Sequence, residues 1–339
     1  MHCLGTSDFS SSFLSYSSLN AYFDGAVRTK FMIFKLGYCN LEPFRIPLND
    51  VPTTNATKPP RTFSEVGQRA IWGLIAFATV VGMLWLGWVG AMILAVPAVV
   101  IGLHEFRSMA RAKGLSVGGR SIYVFGILML VASLPILPES WRGVPWREIV
   151  MWAYLMWVMV VEVIRPSERP LERIMTSLFG VLYIPFLISF GMLLRYTPND
   201  HVGFWYIIIT AVGAYASDTG AYFVGGRFGK RKLAPEISPA KTLEGALGGL
   251  VFSMLLVFGM SEAIRPIISD VKLSEIWIFA ILVSSAAQLG DLAESVIKRG
   301  FGVKDSGTFL PGHGGLLDRM DSLLFALPVA YYYLSVAVF

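Results

Sequence analysis

Long runs of apolar residues alternate with short polar segments along most of the chain beyond residue 70. The run from Ala70 to Leu103 contains 34 residues and no Asp, Glu, Lys or Arg. A membrane-spanning helix needs roughly 20 mostly apolar residues. This run therefore predicts two short spans, with a turn near Gly87 to Gly90 and Pro97.

Seven further apolar runs each predict one span, which brings the total to about nine. They are Ser121 to Leu137, Ile149 to Ile164, Ile174 to Leu194, Val202 to Ala216, Leu243 to Met260, Ile276 to Leu289 and Leu323 to Phe339. The predicted fold class is therefore all-α, a polytopic integral membrane protein with about nine transmembrane helices.

The composition agrees with a membrane protein. Hydrophobic residues make up 55% of the 339 residues and charged residues 15%, whereas ordinary soluble domains contain about 25% charged residues. The mean hydropathy is +0.60. The net charge of +5 is explained by basic cytoplasmic loops, so no nucleic-acid partner is predicted. Cys3 and Cys39 both lie near the N-terminus, which suggests neither a disulfide framework nor a thiolate metal site.

The distribution of basic residues predicts the orientation in the membrane, because short cytoplasmic loops collect Lys and Arg. With nine spans and a cytoplasmic N-terminus, the inner segments hold sixteen basic residues and the outer segments five. The two longest polar segments, Ser217 to Thr242 and Gly290 to Ser322, are then predicted to be cytoplasmic loops.

The first sixty residues differ from the rest, with an early Ser-rich stretch and the polar linker VPTTNATKPP. They are interpreted as a poorly structured extension or a start assigned too far upstream, with Met32 as an alternative start. An organellar transit peptide is less favoured because arginine is sparse. The predicted divisions are an extension (1–60), N-terminal membrane helices (61–200) and a C-terminal catalytic membrane region with the motif loops (201–339).

Acidic residues gather in the two polar segments and beside them. They are Asp218, Glu244, Asp291, Glu294, Asp305, Asp318 and Asp321. Clustered carboxylates suit a hard divalent cation such as Mg²⁺, which takes one or two protein carboxylates together with substrate phosphates and water. The alternative is a structural network with the neighbouring basic residues Lys298, Arg299, Lys304 and Arg319.

Two glycine-rich stretches, FVGGRFGKRK and PGHGG, predict backbone N–H groups that bind phosphate oxygens. Glycine also serves turns between helices, which is the alternative. Neither stretch is a GxxxxGK[ST] loop, so a Walker-type site is not supported. Glycines, basic residues and carboxylates together favour phosphoryl or nucleotidyl transfer.

His313 in PGHGG has two interpretations. It contacts a phosphate or donates a proton to a leaving group, or it holds the loop by a hydrogen bond at a helix end. The chain contains neither HExxH nor GxSxG, which argues against a zinc or a serine hydrolase. A displacement without a covalent enzyme intermediate is the simpler expectation.

The spacing from Ser295 to Asp321 resembles the signature of the phosphatidate cytidylyltransferase family, also called CDP-diglyceride synthase. The matching positions are Ser295, Lys298, Arg299, Lys304, Asp305, Pro311, His313, Gly314, Gly315, Asp318, Arg319 and Asp321. The stretches SDTGAYFVGGRFGKRKLAPEISPAKTLEG and GDLAES are similar to the same family. The resemblance is specific over Ser217 to Ser322 and general from about Ala70 onwards.

The resemblance implies transfer of CMP from CTP to phosphatidic acid, which gives CDP-diacylglycerol and pyrophosphate. It also implies a requirement for Mg²⁺, assistance by a monovalent cation such as K⁺, contact with membrane lipids, and homodimers. The implied location is the bacterial plasma membrane with the active site on the cytoplasmic face; an organellar membrane is the alternative.

The resemblance also assigns roles to individual residues. Asp291, Asp318, Asp321 and Asp218 are the implied metal ligands. The implied catalytic residues are Asp291, Asp318, Asp321 and Lys298. The implied substrate-binding residues are Arg299, Lys304, Asp305, Arg319, His313, Lys241, Ser295 and Glu244.

Two other functions stay open at this point. A CTP-dependent lipid kinase of the polyprenol type would use the same groups, and CTP labelled at the α-phosphorus distinguishes the two enzymes. A transporter would also place polar residues in spans, but the acids lie mostly in the predicted loops, and no inverted repeat is seen.

Overall fold

Helices form almost all of the secondary structure in this computed structural model, which describes residues 75, 77–135, 143–268, 271–307, 309 and 314–338. Residues 1–60 lie outside the described residues, and the predictions made for them remain predictions. The described helices are α1 (Gly87–Ala112), α2 (Ser121–Val131), α3 (Trp146–Ile164), α4 (Pro170–Tyr183), α5 (Pro185–Leu194), α6 (Asp200–Phe228), α7 (Leu243–Ala263), α8 (Leu273–Phe301) and α9 (Leu317–Tyr333).

Six helical segments among the described residues are long and apolar enough to cross a membrane. They are Gly87–Ala112, Pro170–Leu194, Asp200–Phe228, Leu243–Ala263, Leu273–Phe301 and Leu317–Val338. Helix α3 has 19 residues and is not among these six; it carries Arg147 and Glu148 in its first turn and Glu162 in its last turn. The chain is an integral membrane protein, while the count of about nine spans and the cytoplasmic N-terminus remain predictions.

The predicted turn near Gly87 is present. Residues 77–85 are helical, Leu86 lies in a turn, and α1 begins at Gly87, whose φ of 71° is in the left-handed region that favours glycine. Pro97 does not interrupt α1. Helix α1 also continues beyond the predicted end at Leu103 and thereby includes Glu105.

Both predicted polar loops are wrong in their first part, because each begins inside a helix. Helix α6 runs through Ser217 to Phe228, and α8 runs through Gly290 to Phe301. Asp218 and Asp291 are therefore helical residues. The charged residues interrupt the apolar pattern, but they lie where partners from other elements are available.

A short antiparallel hairpin joins α6 to α7 and departs from the predicted all-helical fold. It consists of β1 (Lys232–Ala234) and β2 (Ser238–Thr242), with Lys232 opposite Thr242 and Ala234 opposite Ser238. Thr242 then caps α7, since its Oγ1 accepts the N–H of Gly245 at 3.1 Å.

Helices α6 and α7 pack closely through glycines. A Cβ on Gly220 would lie 2.5 Å from Cβ of Phe252, and a Cβ on Gly249 would lie 2.5 Å from the carbonyl oxygen of Ser217. Small residues let helix backbones approach closely in membrane proteins. This packing brings the end of α6, the hairpin and the start of α7 together around one cavity.

Candidate active site

A cavity of about 450 Å³ lies between α6, α7, α8 and the hairpin. Its volume falls within the range of about 300–1,000 Å³ that is usual for small-molecule sites. The polar residues that line it are Asp218, Tyr222, Lys241, Thr242, Gln288 and Asp291. Three of the residues predicted from the sequence, Asp218, Lys241 and Asp291, therefore share one cavity.

Lys241 and Asp291 form an ion pair across this cavity, with 2.6 Å between Nζ and Oδ2. Strand β2 supplies the lysine and α8 supplies the aspartate. Their side chains are 24% and 30% exposed, although the Nζ atom of Lys241 is itself buried. The site thus offers a cation and a carboxylate side by side.

The start of α9 brings one further aspartate, Asp321, to the back of this site and also contacts Asp218. Ser322 Oγ donates to Asp218 Oδ2 at 2.8 Å, and the backbone N–H of Ser322 donates to Asp321 Oδ1 at 2.7 Å. Helices α8 and α9 touch here, because a Cβ on Gly290 would lie 2.5 Å from the carbonyl oxygen of Asp321. The buried Asp321 therefore lies against α8, the helix that carries Asp291 and Glu294.

Gln288 lies on the cavity wall and was missed in the sequence analysis. Its Nε2 donates to Ser217 Oγ at 3.1 Å and to the carbonyl oxygen of Ala246 at 3.0 Å. The hydroxyls of Ser217 and Ser284 are 2.8 Å apart. This network ties α6, α7 and α8 together at the cavity. A polar residue inside the apolar run Ile276 to Leu289 was the available signal.

A second charged cluster surrounds Lys298, whose side chain is only 13% exposed. Its Nζ lies 2.5 Å from Glu294 Oε2 and 2.7 Å from Asp318 Oδ1. Asp318 also accepts the backbone N–H groups of Ser306 at 3.0 Å and Gly315 at 2.9 Å. In this cluster the acids pair with basic and backbone donors, as the structural alternative predicted. The catalytic roles assigned to Asp318 and Lys298 remain predictions.

For the stretch FVGGRFGKRK, the prediction of a glycine loop whose N–H groups bind phosphate is wrong at Gly225 and Gly226. Gly225 and Gly226 lie inside α6. The N–H groups of Lys230 and Arg231 donate to Glu244 Oε2 at 3.0 and 3.1 Å. Carboxylates therefore occupy donors that were predicted for substrate. His313 lies outside the described residues, and its role stays a prediction.

Glu105 is the second residue that the sequence analysis missed. It lies on α1, is 4% exposed, and accepts the N–H groups of Leu316 at 2.8 Å and Leu317 at 2.9 Å. It also accepts a hydrogen bond of 3.1 Å from Ser306 Oγ. An acid just after the apolar run Ala70 to Leu103 was the available signal.

The remaining predicted substrate-binding residues lie near the second cluster. Ser295 and Arg299 are on α8, and Arg299 Nη1 lies 3.5 Å from the carbonyl oxygen of Val303. Lys304 and Asp305 are exposed in the segment after α8, and Arg319 is exposed on the first turn of α9. The structure does not bring these five side chains into the cavity lining.

Among the described residues, no group of three His, Cys, Asp or Glu side chains is arranged to hold a metal ion. Asp218 and Asp291 nevertheless line the same cavity, and carboxylate oxygens are the ligands that Mg²⁺ prefers. The donor set therefore fits a cation that is held by one or two carboxylates and completed by substrate oxygens. It does not form a cage made of protein ligands alone.

Comparison with known proteins adds an independent finding. The sequence profile of the Cytidylyltransferase family matches residues 67–337. A phosphatidate cytidylyltransferase of Bacillus subtilis (strain 168) is 33% identical over 278 residues, which cover 80% of this chain and 98% of that protein. One from Staphylococcus saprophyticus is 34% identical over 262 residues, covering 77% and 96% of the two chains. One from Staphylococcus aureus (strain COL) is 34% identical over 268 residues, with the same coverage.

Proposed function

This chain belongs to the cytidylyltransferase family, and on that basis we propose that it transfers CMP from CTP to phosphatidate. The products are CDP-diacylglycerol and pyrophosphate. The observation that carries the proposal is the cavity in which Asp218, Lys241 and Asp291 meet inside the matched region. A cation and carboxylates beside a cavity of this size suit a nucleoside triphosphate substrate.

The chemistry is a displacement at the α-phosphorus of CTP. A phosphate oxygen of phosphatidate forms the new P–O bond, and the bond from the α-phosphorus to the oxygen that bridges to the β-phosphorus breaks. Pyrophosphate leaves with that bonding pair. The attacking oxygen is already anionic, so no general base is needed. The protein's task is to align two anionic groups and to offset their charge.

Residues of the cavity supply these functions in the proposed mechanism. Lys241 binds phosphate oxygens of CTP through its ammonium group. The ammonium group then pairs with the substrate phosphate and no longer with Asp291. Asp291 and Asp218 are the proposed ligands of Mg²⁺, with Asp321 and Asp318 assigned with them by the family resemblance. When bound, Mg²⁺ would neutralise charge on the triphosphate. Gln288 holds α6, α7 and α8 in register around the cavity.

The site is proposed to face the cytoplasm, where CTP is available. Exposed basic residues next to the cavity, Arg227, Lys230, Arg231 and Lys232, support this orientation. Phosphatidate would enter from the surrounding bilayer. A soluble enzyme would have to extract both acyl chains, at about 0.8 kcal/mol for each buried CH₂.

The decisive experiment uses purified protein in detergent with phosphatidate, Mg²⁺ and CTP labelled at either the α- or the γ-phosphorus. Cytidylyl transfer places the α-label in the lipid and the γ-label in pyrophosphate. A lipid kinase gives the reverse, with the γ-label in the lipid and the α-label in CDP. Label that enters lipid only from γ-labelled CTP, or from neither, rejects the proposal.

A further inference from the structure

Glu105 joins the N-terminal part of the membrane region to both ends of the segment between α8 and α9. Its hydrogen-bonding partners Ser306, Leu316 and Leu317 are 201 to 212 residues away in sequence. Oε1 accepts one N–H, while Oε2 accepts another N–H and a hydroxyl. A buried carboxylate normally requires such partners, and here they lie in the segment between α8 and α9 and at the first residue of α9.

Two glycines enclose the same carboxylate. A Cβ on Gly307 would lie 2.8 Å from Glu105 Oε1, and a Cβ on Gly315 would lie 2.7 Å from Oε2 and closer still to Ser306 Oγ. Side chains at these positions would displace the carboxylate. The backbone on either side of the segment is therefore shaped around Glu105.

The residues that Glu105 contacts also hold Asp318. The N–H groups of Ser306 and Gly315 donate to Asp318, which pairs with Lys298. Some hydrogen-bond donors at the two ends of the segment therefore bond to Glu105, and the others bond to Asp318. Loss of the Glu105 contacts would free Ser306 and the first turn of α9 from α1, and Asp318 would lose its fixed position.

We propose that Glu105 is a positioning residue of the active site, which acts through Ser306, Gly315 and Leu316 on Asp318 and Lys298. This inference rests on the proposed function for its kinetic consequence. Its structural part, the attachment of the segment to α1, can be measured without any activity. Glu105 itself lines a different cavity from Asp218 and Asp291 and is not assigned contact with CTP.

The first test compares Glu105→Gln with Glu162→Gln in the full chain. Glu162 is a matched control, because it is also buried and accepts the N–H and hydroxyl of Ser167, but it lies on α3 away from the segment. Glu105→Gln replaces an acceptor by a donor that faces N–H groups. We expect KM for CTP to rise about tenfold or more, because the displaced Asp318–Lys298 pair would lose binding energy comparable to one hydrogen bond to a charged group.

Glu162→Gln is expected to lower the amount of folded protein and to leave KM for CTP unchanged. Amide hydrogen exchange, measured by mass spectrometry, should become faster at Leu316 and Leu317 in Glu105→Gln only. A Glu105→Gln protein with wild-type KM and wild-type exchange at these amides overturns the inference. If wild-type protein transfers no CMP but exchange at Leu316 and Leu317 is still faster in Glu105→Gln than in wild type, the proposed function fails and the attachment stands.

Two further variants keep the test available if Glu105→Gln does not fold. Ser306→Ala removes one hydrogen bond to Glu105 and retains the N–H that Asp318 accepts, so a smaller rise in KM is expected. Gly315→Ala pushes against Glu105 from the other side. Its effect on KM should be less than additive with that of Ser306→Ala, because both act on one carboxylate. Wild-type KM in both variants contradicts the proposal.

Discussion

The two aspartate–lysine pairs of the site differ in how accessible they are. Asp291 and Lys241 are 30% and 24% exposed and line the cavity, whereas Asp318 and Lys298 are 14% and 13% exposed. A partly exposed pair adds little to stability, but loss of one partner from a buried pair is costly. The same substitution should therefore have different consequences at Asp291 and at Asp318.

Asp291→Asn is expected to lower kcat for CMP transfer by about 100-fold or more, with little change in thermal stability. The reason is that removal of a carboxylate from the proposed cation site removes charge stabilisation of the reacting phosphates. Formation of labelled lipid at saturating Mg²⁺ measures the rate. Glu262→Gln, an exposed acid on α7, is the control and should keep wild-type activity. A near-normal rate in Asp291→Asn would exclude Asp291 from the metal role.

Asp318→Asn is expected to lose stability as well as activity. Lys298 would keep only Glu294 as its anionic partner, and the amide would face the N–H groups of Ser306 and Gly315 with one acceptor fewer. Breaking a buried ion pair costs about 3–5 kcal/mol of stability. Because Glu294 still pairs with Lys298, we expect a loss near the lower end of this range. Thermal unfolding in detergent, compared with Asp291→Asn, checks the difference. Equal midpoints for the two variants would contradict it.

The sequence identified the acids of the site better than it identified the residues that position them. Asp218, Lys241 and Asp291 were predicted and share the cavity. Glu105 and Gln288 were not predicted, because neither belongs to a recognisable motif and only their partners reveal what they do. Partners more than 40 residues away in sequence cannot be assigned from local pattern.

At the level of helices, the glycines of the site region serve close packing between α6 and α7. Gly220 and Gly249 face the partner backbone, and a Cβ on either would collide with it. Glycine in the middle of a helix normally costs roughly 0.5–1 kcal/mol relative to alanine. The close approach of the two helices is what requires these glycines.

Gly249→Ala and Gly259→Ala should therefore differ in their effect on stability, although both positions lie in α7. The added methyl at position 249 would lie 2.5 Å from the carbonyl oxygen of Ser217, whereas nothing lies within 4 Å of a Cβ at position 259. We expect Gly249→Ala to destabilise by about 1–3 kcal/mol and Gly259→Ala to be neutral or stabilising. Thermal unfolding in detergent measures both. Equal stability of the two variants would refute the packing role.

The helical pattern also explains why the predicted loops were placed wrongly. Charged residues end an apolar run in the sequence, and a run that ends is interpreted as the end of a span. Helices α6 and α8 continue past that point because Asp218 is hydrogen-bonded by Ser322 and Asp291 pairs with Lys241. Tertiary partners make those charges compatible with positions inside α6 and α8.

At the scale of the whole molecule, the orientation in the membrane can be tested on α8 alone. Lys272 precedes α8 and Lys304 follows it, and the 29 residues of this helix span about 44 Å at 1.5 Å per residue. In a bacterial membrane, with Cys3 and Cys39 replaced by serine, Lys304→Cys should react with an impermeant thiol reagent only from the cytoplasmic side. Lys272→Cys should react only from the opposite side. The reverse pattern would show that the site faces outward.

The N-terminal sixty residues are expected to be dispensable for the reaction. The family match begins at residue 67, and the cavity lies wholly within that region. Deletion of residues 2–60 should leave kcat and KM for CTP within about twofold of wild type, because no residue of the site is removed. The labelled-lipid assay, normalised to protein in the membrane fraction, is the measurement. An inserted but inactive truncation would assign this region a role.

The sequence by itself determined the membrane class, most of the helices and the family, and it singled out Asp218 and Asp291, which line the cavity. These features depend on local hydropathy and on the spacing of motif residues that lie close together in sequence, so they can be identified without a structure. Only the tertiary structure decided which charges pair, that the glycines pack helices, and that Glu105 on α1 holds the segment before α9. The physical reason is that a carboxylate bonds to whatever donor folding brings within about 3 Å. Along the chain, that donor is 211 residues away.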